Sequence, residues 1–259
     1  MERKKVSIFK GTAKHYAKYR PPYPKKFFDY LVKQFRLDGT GRLLDLGCGT
    51  GELSTPLAPY FSEVVAVDPD LGMLREGRGK AKKQHVENIK WVLGSSETLH
   101  EVSGKFRLAV MGRSFHWMKR YLVLRQLYSK VEAGGGVVVC ADEANRHEWN
   151  QIAKRIITKH LGKIRRAGGF VYRRPPGRHE KIISHSPFKK WKVKYIPYKR
   201  FWTAHQIIQY QYSTSYASKY VLGSKARSFG RELKRALTKS NPHGRFLEIG
   251  KIQTFLLFK

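Results

Sequence analysis

The chain has 259 residues, 41% of them hydrophobic, which is enough for one sizeable domain or one domain with a cap. No run of about 18 apolar residues occurs, which excludes a membrane-spanning helix, and two cysteines, Cys48 and Cys140, suggest neither a disulfide framework nor a metal site. The 52 basic and 19 acidic residues leave a net charge of +33, unevenly spread: 26 basic against 16 acidic up to Trp149, and 26 against 3 from Asn150 onward. Such a field attracts polyanions, although dispersed basic residues also suit a solvated surface. Met1-Glu2-Arg3-Lys4-Lys5 lacks the apolar stretch of a secretory signal, so a cytoplasmic location is expected.

Between Phe9 and Tyr23, the prolines Pro21 and Pro22 are expected to break any helix and impose an extended path. Phe27 to Phe35 then reads as an amphipathic helix with Phe28, Leu31 and Phe35 on its apolar stripe. Leu43 to Leu46 is an apolar run containing Asp45. Gly47, Gly49 and Gly51 follow at alternate positions, then an amphipathic segment, then a second apolar run, Val64 to Val67, ending in Asp68. This is strand, tight loop, helix, strand, acid. Glycines let the backbone turn and approach a ligand closely, and the helix after them points amide N–H groups at it. An acid at the end of the next strand accepts hydrogen bonds from ribose hydroxyls, and Asp68 stands at about the 20-residue spacing expected of it. The loop reads G-x-G-x-G, not the dinucleotide fingerprint G-x-G-x-x-G.

Pro69 and Asp70 precede a helix opened by Met73-Leu74, and Ile89 to Leu93 is the third strand, followed by Gly94-Ser95-Ser96-Glu97-Thr98-Leu99. Phe106 to Met111 is the fourth strand. It leads into Gly112-Arg113-Ser114-Phe115-His116-Trp117-Met118, which belongs to an active-site rim because ligands of open α/β sheets sit beyond the carboxyl ends of the strands. His116 is the candidate general base there, with an ordinary pKa near 6.5; a structural histidine donating to a backbone carbonyl fits the same position. Leu124, Leu127, Tyr128 and Val131 place a core-facing helix over Tyr121 to Val131, with Gly134-Gly135-Gly136 as its stop. Val137 to Cys140 is a fifth, doubly buried strand. Alternating strands and helices point to an α/β fold with a mostly parallel sheet.

Past Asp142 the character changes. Ile152, Ile156 and Ile157 mark a helix whose other face carries Lys154, Arg155 and Lys159. The basic, aromatic loop from Arg165 to Pro176 suits single-stranded RNA, or a small anionic substrate held by arginine, or plain solvation. Trp191 to Tyr195 alternates apolar residues with lysine, as a half-buried strand does. Tyr210 to Tyr220 is rich in Tyr and Ser and suggests at most pocket lining. Ala226, Phe229, Leu233 and Leu237 form the stripe of a last helix with Arg227, Arg231, Lys234 and Arg235 outside, and Leu247 to Phe258 is a final strand with a bulge expected at Gly250. The organisation is thus an N-terminal segment covering the ligand (1–40), a core (41–142), a basic cap (143–187), and final strands and helices (188–259).

The run D-L-G-C-G-T-G from Asp45 to Gly51 resembles the first motif of class I S-adenosylmethionine (SAM) dependent methyltransferases. Tyr16 to Pro24 resembles the Y-x-x-Y-R-P-x-Y-P segment of their small-molecule, ubiquinone-biosynthesis-like (type 11) group, and Gly112 to Met118 is similar to a G-R-S-F-H-W-M segment of many bacterial relatives. The resemblance implies a Rossmann-like seven-stranded, mostly parallel sheet with an antiparallel last strand and a helical substrate cap, and it implies SAM as cofactor. It implies that Tyr19 and Arg20 close the cofactor pocket, with Arg20 facing the methionyl carboxylate. Asp45 orients the loop and the methionyl amine, while Gly47, Gly49 and Gly51 admit the cofactor. Asp68 binds the ribose. From a D-x-x-x-x-M-L pattern, Pro69 and Met73 flank the adenine. From a G-x-A-E-x-L turn, with Ser for Ala, Ser96 and Glu97 hold it. Ser114 lies near the methionine part.

The expected activity is methyl transfer from SAM to a small-molecule acceptor, anionic or aromatic in character, with no metal and His116 as base. An RNA methyltransferase using the basic C-terminal half is the alternative, although no N-P-P-Y-like motif follows the fourth strand. A non-catalytic binding module is the third reading.

Overall fold

The computed structural model describes residues 8–143, 147–164, 166–167, 170–171 and 177–259. In chain order come α1 (Ala13–Tyr19), α2 (Lys25–Phe35), β1 (Arg42–Leu46), α3 (Ser54–Leu57), β2 (Glu63–Asp68), α4 (Leu71–Lys83), β3 (Ile89–Leu93) and β4 (Phe106–Gly112). Then follow α5 (Arg120–Lys130), β5 (Val131–Glu143), α6 (Glu148–Leu161), β6 (Arg166–Ala167), β7 (Phe170–Val171) and α7 (His179–Ser184). The last elements are β8 (Lys190–Thr203), α8 (Ala204–Tyr212), α9 (Lys219–Leu222), α10 (Ala226–Ser240) and β9 (Arg245–Phe258). Of the basic segment 165–176, only β6 and β7, paired antiparallel, are among the described residues, and Met1 to Lys5 lie outside them.

Seven strands form one sheet in the order β3-β2-β1-β4-β5-β9-β8. The first five strands run parallel, and β9 runs antiparallel to β5. The apolar runs of β1, β2, β4 and β5 are buried along most of their length, as parallel strands covered on both faces must be. This is the α/β, Rossmann-like class expected from the sequence.

The chain clusters into two compact units. The sheet unit comprises Pro22–Glu143, Arg174–Pro197 and Lys251–Lys259. Its main core joins Leu44, Val65, Ala109, Leu124, Val137 and Phe255. The helical unit comprises Met1–Pro21, Ala144–Arg173 and Tyr198–Gly250, around Trp149, Ile156, Trp202, Ile207, Phe229 and Leu233. No helix among the described residues is long and apolar enough to cross a membrane.

Several local expectations are corrected. The prolines act only from Arg20, the extended residue before Pro21, so Ala13–Tyr19 is helical. The buried stripe of α2 is Phe27, Leu31 and Phe35; Phe28 packs edge-on against Phe27 instead. The helix after the glycine loop is a single α turn continued by a 3-10 turn, Ala58–Tyr60, because Pro59 lacks the N–H group that would extend it. Gly134-Gly135-Gly136 does not stop α5. The helix gives way directly to β5, which contains all three glycines. Gly135 and Gly136 serve close packing: a Cβ on Gly135 would lie 2.4 Å from the Arg107 carbonyl, and one on Gly136 equally close to that of Leu257, whereas Gly134 takes a left-handed φ of 77° in open space. Gly250 lies within β9, where the Tyr198 ring fills the space a side chain would take.

Candidate functional site

β1 lies between β2 and β4, so the sheet order reverses at β1 and opens a crevice beyond the strands' carboxyl ends. The glycine loop leaves β1 at this point. The Gly47 and Cys48 N–H groups both donate to the Val67 carbonyl, at 2.8 and 3.0 Å, tying the loop to β2. Gly47, Gly49 and Gly51 have φ of 74°, 57° and 80°, the left-handed region that glycine enters without strain. At Gly47 a Cβ would meet Ser114 Cβ at 2.6 Å. Ser114 is fixed in turn by donating its hydroxyl to the Leu46 carbonyl at 2.8 Å.

Asp68 ends β2 and is 8% exposed. Its Oδ2 accepts from the Gly49 N–H and its Oδ1 from the Asp70 N–H, both at 2.9 Å. Asp70 caps α4 by accepting from the Met73 N–H at 3.1 Å. Burial raises the Asp68 pKa to about 6, against the pull of its two backbone hydrogen bonds. Asp45 is 1% exposed and accepts from the Ser54 hydroxyl at 2.6 Å. Burial pushes its pKa to about 7, and the Glu52 and Asp68 charges add to the rise. Glu52 accepts from the Thr50 hydroxyl at 2.8 Å and lies 3.3 Å from Lys80. Three carboxyl groups therefore gather around this loop in a chain dominated by lysine and arginine. The cradle suits a ligand that is cationic, carries hydroxyls and needs close backbone approach.

The structure thus brings Asp45, Gly47, Gly49, Gly51, Asp68 and Ser114 together. At the carboxyl end of β2, Pro69 is exposed and Met73 buried. At that of β3, Ser96 is buried and donates to Glu97 at 3.2 Å, while Ser95 caps the turn they share. For Glu97, burial raises the pKa, but hydrogen bonds from Ser95, its own backbone N–H and Ser96, together with the Lys119 charge, bring it below the ordinary value. His116 sits half-buried in the 3-10 turn Phe115–Trp117 after β4, its ring 4.7 Å from that of Trp117. Tyr19 and Arg20 belong to the helical unit. There the Arg20 guanidinium lies over the Tyr16 and Tyr210 rings at 4.8 and 5.0 Å, and Tyr19 Oη is 3.3 Å from His205 Nε2.

Three contributors escaped the sequence reading. Glu52 and Ser54 hold the loop through Thr50 and Asp45, and the signal for Glu52 was an acid directly after the glycines in a basic chain. Trp91 lies against Gly51 and Gly77, where added Cβ atoms would approach its ring to 2.8 and 2.5 Å. A small residue on α4 was its only trace. Among the described residues no group of three or more His, Cys, Asp or Glu is arranged to hold a metal ion.

The family model for a methyltransferase domain matches residues 43–135. A probable S-adenosylmethionine-dependent methyltransferase of Saccharomyces cerevisiae is 26% identical over 123 residues, 47% of this chain and 42% of the relative. An uncharacterized methyltransferase of Mycobacterium bovis is 26% identical over 215 residues, 83% of this chain and 79% of the relative. The match thus spans less than half the length of the yeast protein. Among solved structures, a putative type II methyltransferase from Anaeromyxobacter dehalogenans has a TM-score of 0.60 at 18% identity, covering 93% of this chain and 98% of that one. At that identity the likeness is one of fold.

Proposed function

We propose that the chain is a class I SAM-dependent methyltransferase acting on a small-molecule acceptor, a reading supported by the methyltransferase-domain match over residues 43–135 and by the methyltransferase relatives. The observation that carries the cofactor reading is the gathering of Asp45, Glu52 and Asp68 around a left-handed glycine loop in a chain of net charge +33. SAM bears a positive sulfonium, an ammonium and two ribose hydroxyls, so the residues present fit it. When bound, it supplies a methyl group on a sulfur already activated to leave.

The chain's own residues then bind and orient. Gly47 and Gly49 allow the backbone to come close. Asp68, held by the Gly49 and Asp70 N–H groups, accepts from the ribose hydroxyls with its remaining lone pairs. Asp45, fixed by Ser54, braces the loop on the side of the methionyl amine. Pro69 and Met73 flank the adenine, and Ser96 and Glu97 hold its edge. Ser114 faces the methionine part. The rate advantage comes mainly from holding the acceptor in line with the methyl group. His116, on the rim after β4, takes the acceptor's proton. The small-molecule class is supported by the resemblance of Tyr16 to Pro24 and of Gly112 to Met118 to segments of small-molecule enzymes.

Isothermal titration with SAM tests the cofactor reading directly. Saturable one-site binding is expected. Heat indistinguishable from dilution would overturn the assignment of the loop from Asp45 to Asp68. A metabolite screen with labelled SAM then identifies the acceptor, and His116→Gln is expected to lower kcat while leaving SAM affinity intact. An unchanged pH–rate profile in that variant would remove His116 from the proton transfer.

A further inference from the structure

The helical unit contains 25 basic and 4 acidic residues, against 27 and 15 in the sheet unit. Its most regular basic feature is α10. One side of this helix, Phe229, Leu233 and Leu237, is wholly buried in the unit's core. The opposite side exposes Arg227, Arg231, Lys234, Arg235 and Lys239. Their spacing of i, i+4, i+7, i+8 and i+12 keeps them on one side of the helix, over a length of about 18 Å at the helical rise.

α6 packs beside α10 and exposes Lys154, Arg155 and Lys159. The two basic rows are held side by side at Glu232, the sole acid of α10, which takes Lys159 Nζ at 2.5 Å and His160 Nε2 at 2.9 Å. Glu232 is thereby used up within the fold. None of the five exposed α10 cations has an acidic partner among the described residues. Like charges at this density repel one another in the free protein, and a polyanion laid across them relieves the repulsion.

We propose that the α6–α10 face is a surface for the phosphate backbone of nucleic acid. A nucleic acid presents phosphates in a regular row that an 18 Å line of cations meets several at a time, and arginine forks grip phosphate oxygens in pairs. An anionic membrane is the competing class of partner and fits less well. Surface helices that bind bilayers insert an apolar side, whereas the apolar side of α10 is consumed by the core. The surface lies entirely within the helical unit and does not depend on what the methyl acceptor is.

The test is fluorescence anisotropy of the full-length chain with a short labelled single-stranded RNA over a range of salt. Five backbone contacts give a log–log salt slope of about −3.5, which is roughly 100-fold weaker binding for a fourfold rise in salt. The triple variant Arg227→Gln, Lys234→Gln, Arg235→Gln is expected to shallow that slope by about 2, with an unchanged far-UV spectrum and a melting temperature no lower than the parent's. A control triple, Arg75→Gln, Lys82→Gln, Lys83→Gln, removes the same charge from the exposed side of α4 in the sheet unit and is expected to leave the slope within experimental error. Equal losses in both triples would overturn the proposal in favour of undirected charge, and so would an unaffected α10 triple. Binding to phosphatidylserine vesicles that is lost in the α10 triple while RNA binding persists would overturn it in favour of a membrane surface. SAM affinity, measured alongside, stays constant through all these variants, so failure here is separable from failure of the cofactor reading.

Discussion

Both oxygens of the Asp68 carboxylate already hold backbone N–H groups before any ligand arrives. Its replacement therefore removes the proposed ribose contact and a brace of the glycine loop together. Charged hydrogen bonds are each worth about 1.5–3 kcal/mol, so Asp68→Ala is expected to weaken SAM binding roughly 100-fold by calorimetry; unchanged affinity would end the ribose assignment. Asp45 makes a prediction of opposite sign for stability. Its pKa is raised from 3.8 to about 7 by burial, so the folded state holds the proton more tightly than the unfolded chain. The resulting stabilisation is complete below pH about 4 and is lost as pH rises through about 7. Asp45→Asn removes that dependence. Without SAM, its melting temperature is expected to exceed that of the parent by more at pH 8 than at pH 5, while its SAM affinity falls. An equal difference at both pH values would mean that Asp45 is not buried as a proton-holding group. At this scale the sequence was readable where a residue's position follows from a strand end, as that of Asp68 at the end of β2 does. It was silent on Ser54, whose partner Asp45 is met only after the loop has folded back.

Two glycines of α4 separate propensity from packing. A Cβ added at Gly79 would have nothing within 4 Å, whereas one at Gly77 would meet the Trp91 ring at 2.5 Å and the Thr50 backbone at 3.2 Å. Alanine in an exposed helix position is favoured over glycine by about 0.8–1.0 kcal/mol, so Gly79→Ala is expected to raise stability by up to that amount in urea denaturation. Gly77→Ala is expected to destabilise by about 1–3 kcal/mol, because Trp91 cannot retreat without uncovering Gly51. A stabilised Gly77→Ala would show that Trp91 is not wedged there. The same duality of glycine explains where elements were misread. β1, β2, β4 and β5 were legible because apolar runs bounded by polar residues mean buried strands, but the glycine triplet of β5 reads alike as a helix stop and as a place where strands crowd. α1 was hidden behind prolines that act only on the residues next to them. β8, at 14 residues, runs well past the Trp191 to Tyr195 alternation because hydrogen bonding to a neighbouring strand carries the ladder on, whereas β9 starts only two residues before the expected Leu247.

Charge is the property that only the whole chain expresses. A net +33 on 259 residues means that self-repulsion opposes folding at low ionic strength. Local ion pairs work the other way. Arg42–Glu63 and Arg113–Asp142 are short but partly exposed, and such pairs contribute about 0–1 kcal/mol each. Acids run out long before bases do, so most cations have no such partner and the repulsive part dominates. Screening within a Debye length of about 10 Å at 0.1 M salt then removes more repulsion than attraction. The melting temperature of the free protein is therefore expected to rise as sodium chloride is raised from low to moderate concentration, and to rise further with a polyvalent anion such as sulfate at equal ionic strength. Scanning calorimetry in the two salts decides the matter. A melting temperature that falls with added salt would mean that the few ion pairs outweigh the bulk charge, and that the excess lysine and arginine are spaced widely enough to cost the fold nothing.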